Sequence, residues 1–242
     1  MGTRRRERAG LDRPTRRRWT DFVVITRQAA ITVAPAGRRV VSPLRQIAAT
    51  AIAAIFVGLG AVAFVKAGRG VPPYDVLLLG LSERIDVSHG QAGWIVGGAL
   101  FVVAAALGRR PGPVALAWVI ANGLTVDLFT HLLNDADSIA AEVAFMTVGI
   151  VAIAAGIAAF VQATDSGGPY ELIMAAMGDR GRSRVATRVA LDVGVVTAGV
   201  ALAGPYGFAS LVYPFVMGPV LGVTLQGFDD LRSGRESRIG RA

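Results

Sequence analysis

Two short blocks hold the residues best placed to do chemistry. Pro73-Tyr74-Asp75 and Pro169-Tyr170-Glu171 stand 96 residues apart, and each opens an apolar run. Each reads as a helix start, with proline at the first helical position and an acid two residues later. An acid there could bind a cation, an amine or a proton, whereas the free backbone N–H groups of a helix start would suit an anion. It could equally be an ordinary first-turn acid that stabilises the helix dipole. Tyr74 and Tyr170 accompany the two acids as candidate solute contacts. A second constellation is Asp127, with His131 one turn on and Asn122 near the middle of the same apolar stretch. It could relay protons or bind a cation, or it could be an interfacial Asp–His pair.

Other polar residues carry weaker expectations. Asp192 is expected to pair structurally with Arg188 at i,i+4. His89 falls in a polar stretch and is expected to be solvated. There is no cysteine, which excludes disulfides, thiolate nucleophiles and Cys-ligated zinc. The two histidines are far apart and lack the HExxH spacing, and no GxSxG or Walker-type loop occurs. No catalytic residue, metal or cofactor is therefore expected, and the chain reads as a non-enzyme.

The elements that hold these residues follow from composition. Of 242 residues, 53% are hydrophobic, and the 30 glycines raise that share to about 65%, against roughly 45–50% in soluble domains. Charged residues are 17%, against about 25% expected. The surplus argues for a unit that sits in lipid. A spanning helix needs about 20 mostly apolar residues. Six stretches come close: 47–66, 91–107, 114–133, 139–162, 188–203 and 207–225. Gly93-x-x-x-Gly97 and Gly218-x-x-x-Gly222 have the small-residue spacing of close helix packing, read here as faces within one bundle. The runs 72–84 and 169–180 are too short to span, at roughly 20 Å as helices against a core of about 30 Å. Neither has the polar stripe of a helix lying on the surface. Both are read as re-entrant half-helices packed by the bundle.

The two blocks belong to an internal repeat. At the same offset Gly60 meets Gly156, Ala63-Phe64-Val65 meets Ala159-Phe160-Val161, and Arg84 meets Arg180. Repeat 1 covers 46–133 and repeat 2 covers 139–225. Three spans per repeat would invert the second copy relative to the first, a common transporter architecture. The expected fold is thus an all-α polytopic membrane protein of about six transmembrane helices in two inverted repeats.

Charge orients that expectation. Residues 1–45 hold 12 basic and three acidic residues, while the remaining 197 hold 13 and 14. The first segment is read as a flexible cytoplasmic arm whose arginines lie on anionic headgroups, and 226–242 as a basic cytoplasmic tail. With six spans, 22 basic residues fall inside and three outside. Both termini are then cytoplasmic in a bacterial plasma membrane. With Trp19 and Phe22 its only aromatics, the arm carries little nucleic-acid character, and no nucleic-acid partner is expected.

The block Lys66-Ala67-Gly68-Arg69-Gly70-Val71-Pro72-Pro73-Tyr74-Asp75, with Leu81-Ser82, Gly108-Arg109-Arg110-Pro111-Gly112, Asp127-Leu128-Phe129 and Gly218-Pro219, resembles the YczE/YitT-like bacterial integral membrane proteins. The likeness runs from about Gln46 to Leu225. It is to the shorter YczE type, because no room is left for the soluble C-terminal domain of YitT-type proteins. It implies a polytopic plasma-membrane protein, linked in some members to export or control of secondary metabolites. It supplies no catalytic residues. Two functions stay open: a small-solute or ion transporter or substrate-binding membrane component, and a non-catalytic membrane scaffold or regulator. The oligomeric state is left open.

Overall fold

The computed structural model describes residues 42–164 and 166–239, the last twelve by backbone alone. The expected arm, residues 1–41 of it, lies outside the described residues. Eight helices follow in order: α1 (Pro43–Ala67), α2 (Pro73–Ile85), α3 (His89–Ala106), α4 (Pro113–Leu132), α5 (Ile139–Ala163), α6 (Pro169–Asp179), α7 (Arg184–Ala201) and α8 (Phe208–Ile239). No strand occurs among the described residues. The chain is an all-helical, multi-pass membrane protein.

Among the described residues five helices are long and apolar enough to cross a membrane: α1, α3, α4, α5 and the 208–227 part of α8. The sixth expected span, α7, has 18 residues but carries Arg184, Arg188 and Asp192. Its apolar face is a stripe of exposed Val185, Val189, Val193 and Val200. The last helix continues past the expected end at 225 as far as Ile239, with Pro214 and Pro219 inside it.

The short runs form helices of 13 and 11 residues. Each starts on proline and buries its N-terminal end, through Asp75 in α2 and Tyr170 in α6. Their C-terminal ends are exposed, at residues 83–86 and 179–183.

Large apolar side chains point outward. Leu116, Ile120, Leu124, Leu128 and Leu132 form one exposed stripe down α4. Such stripes suit acyl chains, and inside the bundle small residues let backbones approach. The central pair is α1 with α5. A Cβ on Gly60 would lie 2.7 Å from the Gly149 carbonyl oxygen and 2.6 Å from Ile153 Cγ1. A Cβ on Gly156 would lie 2.7 Å from the Ala53 carbonyl oxygen and 2.7 Å from Val57 Cγ2. As the α5 position rises from 149 to 156, its α1 partner falls from 60 to 53, so the two helices cross antiparallel. The offset of 96 maps Gly60 onto Gly156, Ala53 onto Gly149 and Val57 onto Ile153. The half-helices exchange partners in the same way: α2 packs on α7, and α6 packs on α3.

The linker into α2 is held by backbone. Gly70, at φ 101°, passes so close to Gly207 that a Cβ would lie 2.7 Å from its nitrogen. Only glycine combines that φ with that approach. The Ala209 N–H donates to the Arg69 carbonyl at 2.9 Å, and the Val71 N–H donates to Ser210 Oγ at 3.1 Å. Ion pairs mark both ends of the bundle. Lys66–Asp135 (3.2 Å) and Arg69–Glu142 (2.8 Å) lie at one end, and Arg109–Asp179 (2.6 Å) at the other. The hydrogen bond and the charge of Glu142 raise the Arg69 pKa further, so Arg69 stays charged.

Candidate functional site

The buried N-terminal ends of α2 and α6 meet at the centre of the bundle. The Tyr74 and Tyr170 rings touch edge to face, with centroids 5.7 Å apart. Beside them lies a cavity of about 200 Å³. Five sequence candidates line it: Tyr74, Asp75, Asn122, Tyr170 and Glu171. Asp75 and Glu171 come to it on helix starts, those of α2 and α6, that can be buried. The proline starts explain why: each removes an N–H that a buried helix end would leave unpaired.

The remaining two candidates stand outside the lining. Asp127 faces the start of α3. Its Oδ2 accepts from Ser88 Oγ at 2.6 Å and its Oδ1 from the Gly90 N–H at 2.7 Å. Ser88 and Gln91 complete a capping box there. The Asp127 carboxylate is thereby committed to backbone and cap. His131 is exposed near the end of α4 and makes no ion pair with Asp127.

Two expectations on single residues need correcting. His89 is not in a solvated loop. It is the first residue of α3, 7% exposed, with Nε2 3.1 Å from Asp75 Oδ1. The signal was in the sequence: Ser88-x-x-Gln91 is a capping box, which starts the helix at His89. Arg188 and Asp192 do pair at 3.0 Å, but they also line the cavity. The Arg188 guanidinium lies 4.8 Å from the Tyr170 ring centroid. No local pattern reveals this, because it depends on α7 crossing α6.

Each half-helix acid thus faces a base on the helix that follows it. On α2 the pair is Asp75 with His89 in direct contact. On α6 Glu171 interacts with Arg188 through its charge, at longer range. Aromatic rings flank the Glu171 side, where Trp118 stacks on Phe160 at 4.3 Å between centroids. The Tyr170 hydroxyl is buried and has no hydrogen-bond partner among the described residues. Two ionisable pairs thus border the cavity, Asp75–His89 across α2 and α3 and Arg188–Asp192 within α7, beside apolar and aromatic walls. Among the described residues no three His, Asp or Glu side chains cluster to hold a metal.

The chain belongs to the family of unknown function DUF6198, which matches residues 44–226. It is similar to the uncharacterized membrane protein YczE of Bacillus subtilis, with 24% identity over 64% of this chain and 74% of the relative. It is also similar to the uncharacterized protein YyaS of the same organism, with 23% identity over 71% of this chain and 88% of the relative. No solved structure matches.

Proposed function

We propose that this DUF6198 member binds a small solute or ion at the centre of the bundle and moves it across the bacterial plasma membrane, without chemical conversion. The observation that carries the reading is the cavity where the two half-helix N-termini meet, lined by Asp75 and Glu171. Ionisable side chains at membrane depth are expensive and mark solute or ion paths.

The antiparallel α1–α5 crossing supports inverted repeats. Its contacts map onto one another by the repeat offset, as a twofold axis between the repeats requires. That axis would run between Tyr74 and Tyr170. Inverted halves can rock about a fixed central site, exposing it to one side and then the other. The basic arm and tail support cytoplasmic termini, with the arm on anionic headgroups.

The test is uptake into proteoliposomes of solutes that raise the melting temperature of the purified protein. A true ligand stabilises by mass action. Asp75→Asn and Glu171→Gln, at normal membrane levels, are expected to abolish uptake. A scaffold would tolerate both changes, and unchanged uptake in both variants sinks the reading.

A further inference from the structure

We propose that the cavity takes one small primary ammonium ion, with the Glu171 carboxylate as its counter-ion and the Tyr170 hydroxyl as its second contact. The inference rests on the solute-binding reading above and names the class of solute.

Charge is the first argument. The wall carries three carboxylates, Asp75, Glu171 and Asp192, against the guanidinium of Arg188 and the imidazole of His89. Asp75 is engaged by His89 at 3.1 Å, and Asp192 by Arg188 at 3.0 Å. Glu171 is left without a direct ion pair among the described residues, and Arg188 acts on it only at longer range. An anion entering this space would meet three carboxylates. A cation would complete the pairing that each of the other acids already has.

The second argument is the Tyr170 hydroxyl. Tyr170 is 8% exposed and lines the cavity, yet its hydroxyl has no hydrogen-bond partner among the described residues. Buried polar groups are nearly always satisfied, so an orphan at a cavity wall points to a missing partner. The rest of the ring is occupied: Arg188 covers a face and Tyr74 meets it edge on. The hydroxyl is the polar handle left for a ligand. A ligand that serves both Glu171 and a phenol oxygen needs at least two donors. A primary ammonium has three, and a quaternary one has none. The Trp118–Phe160 stack beside Glu171 offers an apolar bed for the alkyl part. At about 200 Å³, the space is below the roughly 300–1,000 Å³ of clefts for drug-sized ligands, so the solute is small.

The experiment is isothermal titration of the purified full chain in detergent with methylammonium chloride, tetramethylammonium chloride and sodium acetate. Methylammonium is expected to bind saturably, with tetramethylammonium at least about tenfold weaker and acetate silent. Glu171→Gln should weaken methylammonium at least about tenfold, and Glu171→Asp should restore most of it. Tyr170→Phe should weaken it about three- to tenfold while leaving the ligand-free melting temperature unchanged or higher, because an unpartnered hydroxyl contributes nothing to stability. That variant carries the test if Glu171→Gln does not fold. The proposal is overturned by absent methylammonium binding, by acetate binding in its place, by full binding in Glu171→Gln, or by a lowered melting temperature in ligand-free Tyr170→Phe. Methylammonium binding without uptake into proteoliposomes overturns transport and leaves this assignment standing. Uptake of some other solute without methylammonium binding does the reverse.

Discussion

Replacing Gly60 or Gly156 with alanine tests the crossing on which the two-repeat argument depends. A Cβ at Gly60 would sit 2.6 Å from Ile153 Cγ1 and 2.7 Å from a backbone carbonyl. Ordinary contacts begin near 3.4 Å, so the overlap is about 0.7–0.8 Å, and the carbonyl cannot rotate away. Gly156 faces the same overlap from the other helix, at 2.7 Å from the Ala53 carbonyl oxygen. Overpacking of this kind costs about 1–3 kcal/mol. On the scale for chains of this size that lowers the melting temperature by about 2–12 °C. The two variants should lose similar amounts. The double variant should lose less than the sum, because one outward shift of α5 relieves both clashes. Val57, Ala61, Ile153 and Ile157 of these helices line the cavity, so the same shift should weaken solute binding. Gly98→Ala is the control, since nothing lies within 4 Å of a Cβ there. Its greater helix propensity should leave stability equal or slightly raised. The assay is thermal unfolding in detergent. Neutral Gly60→Ala and Gly156→Ala beside a destabilised Gly98→Ala would refute the crossing, and with it the inverted pairing.

Other outcomes follow from the site. Asp127→Ala strips the acceptor from the Ser88 hydroxyl and the Gly90 N–H; it should cost about 2–4 kcal/mol by denaturant titration, with Asp127→Asn costing less. A proton-relay role would instead appear as lost pH dependence of uptake at wild-type stability. Arg188→Gln leaves the Asp192 carboxylate without its paired cation, and should lower the melting temperature. Adding Asp192→Asn should recover part of that loss, as a double-mutant cycle can measure. In the cysteine-free chain, Asp135→Cys should react with an impermeant maleimide from outside intact cells. Ser183→Cys should react only after permeabilisation. The opposite pattern would contradict the orientation drawn from charge.

Composition and the length of the apolar runs alone pointed to the membrane class, since the apolar share exceeds and the 17% charge falls below what soluble domains carry. Proline at the first helical position placed both half-helix starts, because its fixed φ and missing N–H act locally. The correspondence of Asp75 with Glu171 at an offset of 96 is read from the sequence alone, because similarity at a fixed offset needs no tertiary information. The beginning of α3 was legible too, in the Ser88–Gln91 capping box, although His89 was read as solvated. What only the tertiary structure decided are contacts between distant helices. Asp127 and His131 share a helix face one turn apart, yet Asp127 is drawn to the N-terminus of α3, where unpaired N–H groups compete for it more strongly. Arg188 and Asp192 look like a local i,i+4 pair, and only the crossing of α7 with α6 turns them toward the cavity. Sequence spacing records what lies on one helix; which helix lies opposite is set by where glycine and alanine let backbones come close.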